Sequence, residues 1–144
     1  MLHSIGEAAA LVGRLLISAL FLHEAYAKLT AYSAAVAYSE AFGVPGWMLP
    51  LAIAVELAGG LMILVGFYTR FAALALAGFC IATALLFHVK LGVRNELLHF
   101  EKDLAIAGGL LLLAAFGPGQ FCVARLVKFD KEPSPAHEDR QSAR

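Results

Sequence analysis

Among the ionisable side chains within or at the ends of apolar stretches of this chain are Arg14, His23, Glu24, Lys28, Glu56 and His88. Glu56 is the most exceptional, because the run from Trp47 to Tyr68 is otherwise apolar. A charge at the centre of a bilayer costs about 2.5–3.5 kcal/mol on insertion scales, so such a residue faces the protein interior with a partner or a proton. Its helical neighbours Ala52, Gly59, Gly60 and Ile63 are mostly small, so another backbone can approach the face that carries the acid. At a rise of about 1.5 Å per residue, Arg14 lies about 9 Å and Glu56 about 16 Å inside the same boundary. This predicts a buried Arg14–Glu56 pair, whose role is either functional or only to fix how two helices pack.

A second group, His23, Glu24 and Lys28 with His88, gathers near the opposite boundary. Imidazole, carboxylate and ammonium together can hydrogen-bond a quinone carbonyl and exchange its protons, which makes Glu24, Lys28 and His88 the candidate catalytic residues. The alternative is that these are boundary residues whose polar tips reach lipid headgroups. A metal site from His23, Glu24, His88 and His99 is disfavoured, since adjacent helical residues diverge by about 100°. No metal is therefore expected. Cys80 reads as a small apolar residue. Cys80 and Cys122 are the only cysteines and form no Cys-x-x-Cys, which argues against a thiol redox pair or a zinc knuckle.

The elements that must position these groups are membrane helices. Of 144 residues, 60% are hydrophobic and 15% charged, with a mean hydropathy of +0.76; soluble domains carry about 25% charged residues. The fold class is all-α, an integral membrane bundle of four transmembrane helices in one domain, residues 1–127. The spans are expected at about 8–29, 48–68, 71–89 and 104–124, each near the length needed to cross a hydrocarbon core. Residues 30–43 read as a short interfacial helix with Tyr32, Ala35, Val36, Ser39 and Phe42 on one face. Tyr26, Tyr32, Tyr38 and Trp47 fit an aromatic belt at the headgroups. Residues 90–103 read as a polar loop that ends with Asp103 capping the fourth helix. Residues 128–144 contain two prolines, many charges and no apolar period, and read as a disordered charged tail.

Zero net charge leaves no basic surface for nucleic acid. Ala25-Tyr26-Ala27 resembles a signal-peptide cleavage site, but no Lys or Arg precedes the apolar run and Arg14 interrupts it. Four spans put both termini on one side. That side carries Arg14, Arg70, Arg125, Lys128 and Lys131; the other carries Lys28, Lys90, Arg94 and Lys102. The bias favours both termini in the cytoplasm of a bacterial plasma (inner) membrane protein.

In this order and spacing the motifs resemble the DoxX family of small membrane proteins. They are Gly13-Arg14, Leu20-Phe21-Leu22, Lys28-Leu29, Gly43-Val44-Pro45, Glu56-Leu57-x-Gly59-Gly60, Gly66-Phe67-Tyr68-Thr69-Arg70, His88, Lys102-Asp103-Leu104-Ala105 and Gly117-Pro118-Gly119. The resemblance covers residues 10–125. It implies a four-helix bundle and an oxidoreductase linked to quinone, and it points to Arg14, Lys28, Glu56, Arg70, His88 and Lys102. Where family members often follow Gly-Pro-Gly with Ser-Leu-Asp, this chain has Cys122-Val123-Ala124, so no role of that Asp carries over.

The leading expectation is a redox accessory that works with membrane quinone or a partner redox protein. With no cofactor motif in the chain, the cofactor would come from lipid or from the partner. The alternatives are a non-enzymatic scaffold or assembly factor and, ranked last because no inverted repeat is visible, a small-solute carrier.

Overall fold

A computed structural model describes residues 2–88, 94–119 and 122, with side chains from residue 5 onward. The described residues are helical throughout their regular structure: α1 (Leu2–Thr30), α2 (Tyr32–Ala41), a 3-10 turn (Gly46–Met48), α3 (Leu49–Val65), α4 (Thr69–Phe87) and α5 (Arg94–Phe116). The expected charged tail at 128–144 lies outside the described residues.

α1 buries Arg14, Ser18, Phe21 and Ala25, a stripe at offsets of 4, 7 and 11 that lies along one helix face. α3 receives it with Ile53, Glu56, Gly59, Gly60 and Ile63. The glycine pair lets both neighbours in: a Cβ on Gly60 would meet Leu22 at 3.2 Å, and one on Gly59 would meet Leu76 of α4 at 2.8 Å. α4 turns Ala72, Ala73, Leu76, Ala77 and Cys80 inward and packs along α5. Phe21, Ile63, Leu76 and Leu110 bring four helices into one core. The outer surface is apolar, with Leu16, Phe71, Leu112 and Phe116 all exposed, as suits helices whose solvent is lipid.

α2 lies where the interfacial helix was expected. Ala35 and Val36 pack on Ala25, Leu49 and Ile53, and Ser39 is buried. Tyr32, at the start of that face, is exposed. The turn from α3 to α4 is tight: Gly66 closes α3 in the left-handed region and Tyr68 adopts φ 46°.

Two expectations about the fourth span change. Residues 94–103 are helix, not loop, so Asp103 sits inside α5 and caps nothing. The segment contains no Gly or Pro, and Glu96 in the first turn complements the helix dipole. At the other end α5 stops at Phe116, because Gly117 takes φ 83° and Pro118 follows. The apolar part of α5 is thus residues 104–116, short of the usual crossing length. Among the described residues three helices are long and apolar enough to cross a membrane: Ile5–Thr30, Gly46–Val65 and Thr69–Phe87.

Candidate functional site

Lys28 is in the last turn of α1, on the continuation of its buried stripe. Its Nζ donates to Glu24 Oε2 at 3.1 Å, one turn back, and to Glu56 Oε1 of α3 at 2.9 Å. An ammonium has three hydrogens, so one stays free. The Glu56 side chain is only 4% exposed, and its Oε2 is buried without a hydrogen-bond partner among the described residues. Lys28 is therefore the group that neutralises the buried acid.

The predicted Arg14–Glu56 pair is replaced by this one. Arg14 lies beside Gly66 and donates from Nη1 to the Pro118 carbonyl at 2.9 Å. Gly66 is ten residues beyond Glu56 on the same helix, about 15 Å away. The expected pair required the Arg14 side chain to reach toward the middle of α3, but it turns instead to the end of α5, while Lys28, on the same face of α1, reaches Glu56. Arg70 stands at the Arg14 end as well, beside Gly117. Arg14 and Arg70 thus place their charges at the carbonyl end of α5, where the helix dipole favours cations.

A second polar group faces Lys28 from α4 and α5. His88 follows α4, and its Nδ1 lies 2.8 Å from Glu96 Oε2, while its Nε2 is 4.0 Å from Asp103 Oδ2. The His99 ring stacks on His88 with centroids 5.0 Å apart, and Lys102 Nζ is 3.4 Å from His99 Nδ1. Burial holds the Asp103 carboxyl above its ordinary range. Lys102, His88 and His99 oppose that rise, and the charge of Glu24 adds to it. Burial likewise raises the Tyr38 hydroxyl, with Glu96 and Asp103 adding to the effect.

Between the two groups is a cavity of about 610 Å³, within the usual range for small-molecule sites. Glu24, Lys28 and Glu56 line one part of it, and His88, Lys102 and Asp103 another; Phe79, Cys80 and Leu86 belong to the apolar wall. Tyr38, Phe42 and Phe87 form an aromatic cluster at this end, with Tyr38 and Phe87 stacked at 5.7 Å. Such a space suits a flat, weakly polar molecule whose oxygen atoms reach the polar groups.

The structure thus brings together Glu24, Lys28, His88, Glu56 and Lys102, and separates Arg14 and Arg70 from them. His23 is exposed and lies outside the cavity lining, so it does not join the metal set weighed from sequence; no group of three or more metal-ligating side chains occurs among the described residues. Sequence reasoning missed Glu96 and Asp103 as site residues. The available signal was their spacing: Glu96, His99 and Asp103 fall on one face if the segment is read as helix.

The DoxX family model matches residues 9–89. The chain is 49% identical to the inner membrane protein YqjF of Escherichia coli (strain K12) over 117 residues, which cover 81% of this chain and 90% of that protein. It is 30% identical to the inner membrane protein YphA of the same organism over 122 residues, covering 80% and 87% respectively. No solved structure matches.

Proposed function

Given that this chain belongs to the DoxX family of integral membrane proteins, we propose that it is a redox accessory whose cavity binds the head group of a membrane quinone. The observation that carries this reading is the cavity of about 610 Å³, in which apolar walls join two acid–base groups, Lys28 with Glu24 and Glu56, and His88 with Asp103 and Lys102. Lys28 and a protonated His88 would donate to the ring carbonyls, and Glu24 would exchange protons. Reduction of a quinone takes two electrons and two protons. The electrons come from a partner redox protein at the membrane, and the protons pass through these side chains.

This reading places the protein in a bacterial inner membrane, the location in the names of both relatives. It also makes α5 the fourth crossing. Asp103 lies beside His88 just after α4, and Gly117 lies beside Arg70 at its start, so residues 103–117 run nearly the length of α4. Both termini would then be cytoplasmic, following the weak excess of Lys and Arg on their side.

The test is chemical. Protein purified from native membranes should carry quinone in its lipid extract, and a short-chain quinone should raise its melting temperature. Combining Lys28→Ala with His88→Ala should abolish both effects while the helical circular dichroism persists. Folded wild-type protein free of quinone and indifferent to added analogue would overturn the reading. Retained binding of a partner protein by that quinone-free chain would point to a scaffold instead.

A further inference from the structure

The cavity holds acceptors that a quinone cannot use. Asp103 accepts no hydrogen bond from the described residues; its nearest cations, His88 Nε2 and Lys102 Nζ, are each 4.0 Å from a carboxylate oxygen. Its side chain is 14% exposed and lines the cavity. Opposite it, Glu24 gives one oxygen to Lys28 and remains half exposed, while Lys28 keeps a free N–H. The two walls therefore differ in what they ask of a ligand. The Lys28–Glu24 wall suits an oxygen that both accepts and donates; on the other wall His88 and Lys102 can donate to an oxygen of either redox form, whereas the Asp103 carboxylate can be satisfied only by one that donates.

A quinone has only carbonyl acceptors, and one turned toward the Asp103 carboxylate meets a repulsive lone pair. A hydroquinone carries an O–H on each ring oxygen. One can accept from Lys28 while donating to Glu24, and the other can donate to Asp103 in a charge-assisted bond. An ammonium ligand would also satisfy the acids, but it would be repelled by Lys28 and Lys102, both of which line the cavity.

Resting on the reading of the cavity as a quinone-type site, we propose that Asp103 is a specificity-determining residue that makes the site select the reduced, hydroxyl-bearing hydroquinone over the quinone. Asp103 lies in α5, and it works together with Lys28 and Glu24 across the cavity. The position is set by the helical extension of α5, which projects Glu96, His99 and Asp103 toward His88.

The experiment uses the full chain in lipid nanodiscs, titrated calorimetrically under argon with a short-chain 1,4-benzoquinone, its hydroquinone and the corresponding dimethoxy ring. Charge-assisted hydrogen bonds contribute about 1.5–3 kcal/mol, so the hydroquinone should bind about tenfold tighter than the quinone or more. The dimethoxy ring keeps both oxygens but lacks the O–H, and it should bind no better than the quinone. Asp103→Asn keeps the shape and offers an amide donor, and it should bring the two redox forms to within about threefold. Equal affinity of the two forms for the wild-type chain would overturn the proposal and leave the quinone-site reading standing. A preference that survives in folded Asp103→Asn, or that the dimethoxy ring shares, would also overturn it. If no ring binds, the quinone-site reading fails and the proposal fails with it. The wild-type comparison among the three rings decides the matter even if Asp103→Asn does not fold.

Discussion

Lys28 is the cation on which the buried Glu56 carboxylate depends, since its Nζ is the only hydrogen-bond partner that the described residues give that acid. Lys28→Met should therefore destabilise the protein by about 3 kcal/mol, the usual result of leaving a buried charge uncompensated. Lys28→Met combined with Glu56→Leu should recover most of that loss, because the pair also carries a desolvation penalty. Thermal melts in detergent across the double-mutant cycle measure the coupling, and additive losses would show that the two side chains do not interact. Asp103 makes a different prediction. Burial raises its native carboxyl above the ordinary value of 3.8, so the folded protein holds its proton to higher pH than the unfolded chain. The stability this contributes is complete below the unfolded value and is lost as pH rises through the raised native one. Melting temperature measured from pH 3 to 8 should fall over that window in the wild type, relative to Asp103→Asn. Parallel curves would show that Asp103 does not titrate in this way.

At the scale of elements, α3 is the helix on which the others close, and its glycines show why. A Cβ on Gly59 would lie 2.8 Å from Leu76, which is fully buried, whereas one on Gly78 or Gly108 would meet nothing within 4 Å. Gly59→Ala should lower stability by about 1–3 kcal/mol through overpacking. Gly78→Ala and Gly108→Ala should be neutral or stabilising by up to about 1 kcal/mol, as helical Gly→Ala changes are where space allows; the same detergent melts rank the three. The apolar runs and the small face around Glu56 were legible in the sequence because both follow from the helical period. The partner of Glu56 was not legible. Arg14 and Lys28 both fall on the buried face of α1, and helical periodicity alone does not choose between them. Residues 94–103 were misread because their charges resemble those of a loop. Charge does not prevent a helix, however, when the segment lacks Gly and Pro and its acids sit near the N-terminus.

At the scale of the molecule, the proposed fourth crossing is made by α5 with only its 104–116 segment apolar. From Asp103 to Gly117 the helix rises about 21 Å, against about 27 Å from Arg70 to His88 along α4. Its ends nevertheless meet those of α4: Asp103 stands 4.0 Å from His88, and Gly117 lies against Arg70. Polar groups at both ends are thus covered by neighbours or free to reach the interface, as Lys102 does with about half its side chain exposed. A short apolar stretch can then cross with local thinning of the bilayer, at a fraction of a kcal/mol per Å. Arg14 supports the same arrangement from the other end, because its bond to the Pro118 carbonyl requires the end of α5 to be level with the turn after α3. Reporter fusions test this directly. Fusions after Phe67 and after Gly119 should both read cytoplasmic, and one after Gly43 should read external. If Gly119 reports the same side as Gly43 while Phe67 reports the other, α5 does not cross and the bundle has three spans.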